Sequence, residues 1–247
     1  MTLPGLATST ARLALALVAL AVFFHGGTAQ AEVITIGTAD PYPQLFPFSG
    51  IAGVETYSGE YQQIYTSNAF SGPVTITSVA FATANDFSGE SGSVGFSLSL
   101  STTPFATLSD PSTDYASNRG SDITLVYNGT ETIPATVTGS FNFVIATTTP
   151  FVYNPALGDL LLDVYINTPD GSEINFEASQ DATTARVYND YTGTPTVGTS
   201  DPYDSTGLVT QFTVTPSAVP EPASLAMLGL GLAGTWAIRR LQRTRRP

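Results

Sequence analysis

Apolar residues recur at every second position in four stretches of the chain: 94–100, 141–145, 174–178 and 208–214. Successive side chains of a strand point to opposite faces, so each stretch predicts a strand with one face in a core and the other in water. Six more runs, at 33–36, 61–66, 74–82, 123–127, 160–166 and 186–189, are separated by segments rich in Gly, Pro, Ser, Asn and Asp, and predict further strands. About ten short strands with no helical period between them predict an all-β domain, a β-sandwich of jelly-roll-like form. Phe96, Leu98, Phe143, Leu162, Phe176 and Phe212 share the inward parity and make up the predicted core.

Three departures from simple alternation carry information. Between Val74 and Phe81 the apolar phase switches, with Val74 and Ile76 on one parity and Val79 and Phe81 on the other. A β-bulge, or a strand passing from one sheet to the other, reconciles the two halves. The run 160–166 is apolar throughout except for Asp163, which predicts a central strand covered on both faces. A buried aspartate needs partners, and the expected ones are backbone or hydroxyl groups rather than a catalytic or calcium-binding role. The polar stretch 191–206 is read as a long loop, either a binding loop or merely a mobile one. No internal repeat of solenoid or propeller period is found.

The two ends read as addresses, dividing the chain into a signal peptide (1–31), a secreted domain (32–216) and a tail (217–247). Near the N-terminus, Arg12 precedes twelve apolar residues at 13–24 and then Ala29-Gln30-Ala31. The run is short for a bilayer span of about 30 Å, and the small residues Ala29 and Ala31 suit a signal peptidase, with cleavage expected after Ala31. The alternative is a permanent N-terminal anchor. At the other end, Pro220-Glu221-Pro222 leads into sixteen apolar residues at 223–238 that contain three glycines, and then into an arginine cluster at 239–247. Sixteen helical residues rise roughly 24 Å, barely enough to cross a membrane, and the arginines would stay on the cytoplasmic side.

This tripartite tail resembles the PEP-CTERM sorting signal of Gram-negative bacteria that make exopolysaccharide. The resemblance covers about the last 29 residues. It implies recognition of Pro220, Glu221 and Pro222 by a membrane transpeptidase, the exosortase, with Arg239 and Arg240 opening the basic stop and a cut near the PEP motif. It further implies an inner-membrane precursor that is then released to the cell surface or extracellular matrix. An ordinary single-pass tail anchor is the alternative. Phrases in the middle of the chain, such as 61–65, 98–103 and 150–156, are similar to stretches of other uncharacterised PEP-CTERM proteins, which supplies no activity.

Composition narrows the chemistry left to the middle. The chain has no Cys and no Lys, and its only histidine, His25, leaves with the leader. Without these residues a Ser-His-Asp triad, a Cys-His pair, a Schiff base and a histidine metal site are all excluded. Between 32 and 216 there are two arginines against nineteen acids, a net charge of −17. Such a field repels nucleic acid and anionic lipid, so the membrane is met only through the tail. Paired carboxylates remain possible, as a glycoside hydrolase would need. Calcium is the metal an acidic secreted protein could take, and the clusters Asp110–Asp114 and Asp201–Asp204, with Asp181 and Asp190, are the candidate ligands. Ordinary turn-forming aspartates are the favoured reading, so no cofactor is expected.

Aromatic residues give the remaining signal. Tyr42, Phe46 and Phe48 lie among prolines, and Tyr57, Tyr61 and Tyr65 follow at four-residue spacing. If exposed, they could stack on sugar rings; burial in the core is the commoner outcome. The sequence therefore predicts an exported, non-enzymatic surface or exopolysaccharide-matrix protein, processed by signal peptidase and exosortase. Its rivals are a carboxylate-dependent glycan hydrolase, marked by two facing acids in an aromatic-walled cleft, and a structural subunit, marked by an unpaired, uncharged edge strand near a terminus.

Overall fold

The structure, a computed structural model, describes residues 30–49, 59–84, 91–103, 108, 111–135, 139–168, 174–189, 193–201 and 203–217. The leader as far as Ala29, the tail from 218, and Tyr57, Asp110 and Asp190 lie outside them. Among the described residues the chain is all-β. Its strands are β1 (Glu32–Ile36), β2 (Gly59–Tyr65), β3 (Val74–Thr83), β4 (Gly92–Thr102), β5 (Thr124–Ile133), β6 (Ser140–Tyr153), β7 (Leu160–Thr168), β8 (Ala178–Ser179), β9 (Thr184–Asn189), β10 (Pro195–Val197), β11 (Gly207–Leu208) and β12 (Thr210–Pro216). One helical turn, α1 (Tyr115–Asn118), interrupts the link between β4 and β5.

All strand pairs are antiparallel. One sheet has the order β1-β12-β3-β6, a second the order β10-β9-β2-β7-β4-β5, and β11-β8 form a small third. Alternation along the strands turns one face of each large sheet inward, and these faces share a single core. All six residues predicted for it, Phe96, Leu98, Phe143, Leu162, Phe176 and Phe212, are buried. At its centre stands Phe48, whose ring lies 5.0 to 5.6 Å from those of Phe81, Phe96, Phe143 and Phe176. Centroid distances of this size are those of edge-to-face and tilted aromatic packing.

The phase switch in β3 is a bulge. Thr213 pairs with Ser78 while Val214 pairs with Ile76, which leaves Thr77 unpaired and lets Val74, Ile76, Val79 and Phe81 all face the core. The neighbouring strand follows the irregularity, since its register jumps from Ala146 opposite Ser78 to Phe151 opposite Ile76. The strand read at 141–145 therefore continues to Tyr153 as β6, through the polar stretch 147–150 that masked its second half. The run 160–166 lies within β7, between β2 and β4, as its apolar composition requires.

Two expectations need correction. The stretch 174–178 is not a regular strand: Phe176 makes only isolated bridges, to Gln44 and Thr83, although its ring is buried as its parity predicted. Its alternation reflects burial, and its ladder partners are a loop and a strand end. The stretch 191–206 is not one long loop either, because Pro195–Val197 pairs with β9. Among the described residues no helix is long and apolar enough to cross a membrane. The predicted span at 223–238 lies outside them.

Candidate functional site

Pairing of β2 with β7 sets Gln62 opposite Asp163 and Glu60 opposite Tyr165. Glu60, Gln62 and Asp163 therefore share the outer face of the six-stranded sheet, since Tyr61 and Val164 take the inner one. The link between β4 and β5 crosses this face. Asp114 caps α1 there, accepting from the Ala116 amide at 3.2 Å and the Ser117 hydroxyl at 2.7 Å. Arg119, one residue past α1, reaches two acids: its Nε donates to Asp163 Oδ2 at 2.6 Å and its Nη2 to Glu60 Oε1 at 2.5 Å. Gln62 Nε2 donates to Asp163 Oδ2 at 3.1 Å and to the Tyr115 carbonyl at 3.0 Å, and Asn118 Nδ2 donates to Gln62 Oε1 at 2.8 Å. Burial does give Asp163 partners, but they are the Arg119 guanidinium and the Gln62 amide rather than the backbone or hydroxyl groups expected, because the link between β4 and β5 brings Arg119 over this face.

Burial and the neighbouring Asp163 carboxylate push the Glu60 pKa up to about 7, against the pull of Arg119. The Glu60 carboxyl thus holds its proton more tightly than an exposed one, even with a guanidinium beside it. A hydrolytic pair stands about 5 to 9 Å apart across a space for substrate. Here both carboxylates bind one guanidinium, with the Gln62 amide on Asp163, and the arrangement pins a loop to the sheet.

The second arginine of the domain makes a different contact. Arg186 on β9 is 1 % exposed. Its Nε donates to the Ser205 carbonyl at 2.9 Å, its Nη2 pairs with the Asp204 carboxylate, and its guanidinium lies 4.3 Å from the Tyr188 ring centroid. Among the described residues, Nη1 and the Ser205 hydroxyl are buried without a hydrogen-bond partner. Gly198 is required by this close packing, since a Cβ there would stand 2.2 Å from the Ser205 carbonyl oxygen and 2.5 Å from Arg186 Cγ. The segment leading to β11 is held at further points. Asp204 Oδ2 accepts from the Thr199 amide at 2.9 Å and Asp201 Oδ1 from the Tyr203 amide at 3.1 Å. Gln180 Nε2 donates to the carbonyls of Asp201 at 2.8 Å and Asp204 at 3.3 Å.

This segment presents Tyr203, which is 85 % exposed and lies 5.6 Å, ring centroid to centroid, from the 40 % exposed Tyr42. The two aromatic-bearing regions singled out in the sequence, 41–48 and 191–206, therefore meet. Of the other aromatics singled out, Phe46, Phe48, Tyr61 and Tyr65 are buried, and Tyr57 lies outside the described residues. Tyr42 is fixed by an Asp40 carboxylate that accepts its amide at 2.6 Å, and burial raises the Asp40 pKa above its ordinary value. Beside the Tyr203 segment opens a groove of about 780 Å³ whose walls include Ser67, Asn68, Asp159, Gln180, Asp181 and Ser200.

Asp110 and Asp190 lie outside the described residues, and the other acids of the loop clusters make local contacts. Asp114 and Asp201 cap local turns, Asp204 pairs with Arg186, and Asp181 is held below the usual carboxylate range by the Thr183 hydroxyl and amide despite its burial. Among the described residues no three His, Cys or acidic side chains gather as a metal-holding group. The two arginines, which tie down both loops, were not singled out in the sequence. The signal available was that they are the only cations amid nineteen acids.

Of the predicted processing residues, Ala31 is exposed one position before β1 begins, and Ala29, Pro220, Glu221, Pro222, Arg239 and Arg240 lie outside the described residues. Glu32 pairs with Val214, so the first strand starts where the last one runs out toward the tail. Residues 218–241 match the family model of the PEP-CTERM protein-sorting motif. No curated protein and no solved structure matches the chain. The motif marks an exosortase-targeted surface or extracellular protein, held transiently in the membrane before processing.

Proposed function

We propose that this protein is a non-enzymatic component of the Gram-negative cell surface or exopolysaccharide matrix, built on a jelly-roll-like β-sandwich. Counting β1 to β7 and β12 as eight strands, the orders β1-β12-β3-β6 and β2-β7-β4-β5 interleave as 1-8-3-6 and 2-7-4-5, the two-sheet arrangement of a jelly roll, with β9 and β10 added beside β2. Signal peptidase removes 1–31, and exosortase cuts near Pro220-Glu221-Pro222. The sorting motif at 218–241 is the observation that carries the reading. It is supported by the missing His, Cys and Lys of the mature domain and by the engagement of Glu60 and Asp163 with one arginine. Calcium has no structural part in this reading.

Intact-mass measurement of the exported protein from its native host tests the sorting step: both the leader and the arginine-rich end should be gone. Mature protein still carrying Arg239 and Arg240 would refute it. Incubation with purified host polysaccharide tests the rest, with retention and no release of oligosaccharides expected. Steady release, abolished by replacing one acid, would establish the hydrolase instead.

One observation favours a second reading, that of an assembling structural subunit. Among the described residues β1 pairs only with β12, and it carries a single charge, Glu32, while Val33 is 54 % exposed. By contrast, β10 begins with Pro195, and the hydroxyl of Thr148 in β6 bonds to the Val126 carbonyl of β5 at 3.0 Å, which closes that side. An edge without proline, lysine or cover is a template for a further strand. Sedimentation of the exported protein should then show oligomers that Val33→Lys dissolves. A monomer at all concentrations would remove this reading.

A further inference from the structure

The groove and the tyrosine pair share their supports. Gln180 lines the groove, and its amide holds the two carbonyls that flank Tyr203. Ser200 lines it too, three residues before Tyr203. The 85 % exposed Tyr203 ring is mounted on a segment held by the Arg186–Asp204 ion pair, by the bond of the Thr199 amide to Asp204 and by one turn capped by Asp201. Neither Tyr42 nor Tyr203 uses its hydroxyl in a bond to another described residue, and the side chains of Ser67, Asn68 and Ser200 are equally without partners there. A rigid, preorganised aromatic surface beside unengaged hydroxyl and amide groups loses little conformational entropy when a ligand arrives.

The chemistry of the walls selects the ligand. Thr66, Ser67 and Ser200 supply hydroxyls, Asn68 and Gln180 supply amides, and Asp159 supplies a carboxylate whose Oδ1 already accepts the Ser67 amide at 2.7 Å while Oδ2 has no partner among the described residues. No cation lines the groove, and the only nearby arginine is buried against Asp204. Phosphate, sulfate and uronate groups would meet two acids and a domain of charge −17, so an anionic ligand is disfavoured. A neutral sugar fits on every count: its C–H face stacks on tyrosine, and its hydroxyls both donate to carboxylates and accept from hydroxyls and amides.

We propose that Tyr42, Tyr203 and the adjoining groove form one binding site for neutral saccharide rings. The proposal rests on the reading of the protein as a polysaccharide-contacting matrix component and names the surface that would make the contact. The exported protein would be run in native gels containing dextran, mannan, xyloglucan or the neutral and acidic fractions of host exopolysaccharide. Retardation by at least one neutral polymer is expected. Tyr203→Ala should weaken it about tenfold, the equivalent of one stacking contact, with Tyr42→Ala and Asn68→Ala weakening it less. Tyr203→Phe should keep most of it. Tyr165→Ala removes a 51 % exposed tyrosine from β7, outside the site, and should change nothing. Thermal melts of each variant confirm that the exposed substitutions leave the fold intact. Retardation equal in wild type and all three alanine variants would overturn the site and leave the matrix reading standing. Binding to acidic polymers alone would overturn the neutral class, and absence of any retardation would overturn both site and reading.

Discussion

The two arginines of the acidic domain do the same job in opposite settings. Each pins a loop to the six-stranded sheet by an ion pair, Arg186 holding the segment that carries Tyr203 and Arg119 the helical link between β4 and β5. Arg186 has a 1 % exposed side chain, stacks on Tyr188 and faces one carboxylate; Arg119 is 36 % exposed and faces two. Removing a charge from water costs several kcal/mol, so a buried charge tolerates no missing partner; solvent cushions Arg119 itself but not Asp163, which is 6 % exposed. The contrast shows how burial, and not the count of contacts, sets what an ion pair contributes.

Truncating the buried arginine should have the largest effect. Arg186→Ala leaves Asp204 unpaired and a void against Tyr188, and we expect a loss of about 3–5 kcal/mol in urea denaturation. A loss no larger than that of an exposed pair would show that hydrogen bonds alone hold the segment. Arg119→Ala leaves the buried Asp163 with only the Gln62 amide and should cost less, about 1–3 kcal/mol, with hydrogen exchange accelerated through 111–120 and unchanged in 198–206. Equal losses for the two variants would erase the distinction drawn above.

The subtlest difference is in pH dependence. Glu60 has a folded pKa of about 7 against an ordinary 4.5, so the native state keeps a proton over that window which the unfolded chain gives up. Its contribution is complete below about pH 4.5 and is lost as pH rises through 7. Melting temperature should therefore fall across this window in wild type, and Glu60→Gln should flatten the fall. A melting temperature that rises instead would mean that Arg119 dominates and keeps Glu60 charged. Arg186→Ala should leave this slope unaltered, because the two clusters share no carboxylate.

Much of the scaffold can be read directly from local pattern. The inward parity of Phe96, Phe143, Leu162 and Phe212 predicted their burial, and the phase switch between Val74 and Phe81 predicted a bulge or a change of sheet, of which the structure has the bulge, at Thr77. Both follow from a two-residue period that is written in the chain itself. The signal weakened where partners are distant or irregular. The second half of β6 carries a polar stretch at its bulge, and β10 is three residues long, too short to register as a period. Phe176 has the parity of a strand while bridging only to a loop and a strand end.

The functional surface divides in the same way. Order and spacing at the ends of the chain determined the sorting address, because a protease and a membrane read a linear tail as a linear tail. Composition likewise determined which chemistries the mature domain lacks. Which aromatic residues became core and which stayed in solvent was a tertiary decision: Phe48 entered the centre of the core while Tyr42, six residues earlier, met Tyr203 at the surface. The sequence pattern treats both as aromatics among prolines. Their fates diverge because burial depends on the space left by Phe81, Phe96, Phe143 and Phe176, residues far along the chain, and because the hold of Arg186 on Asp204, also distant in sequence, fixes where Tyr203 stands.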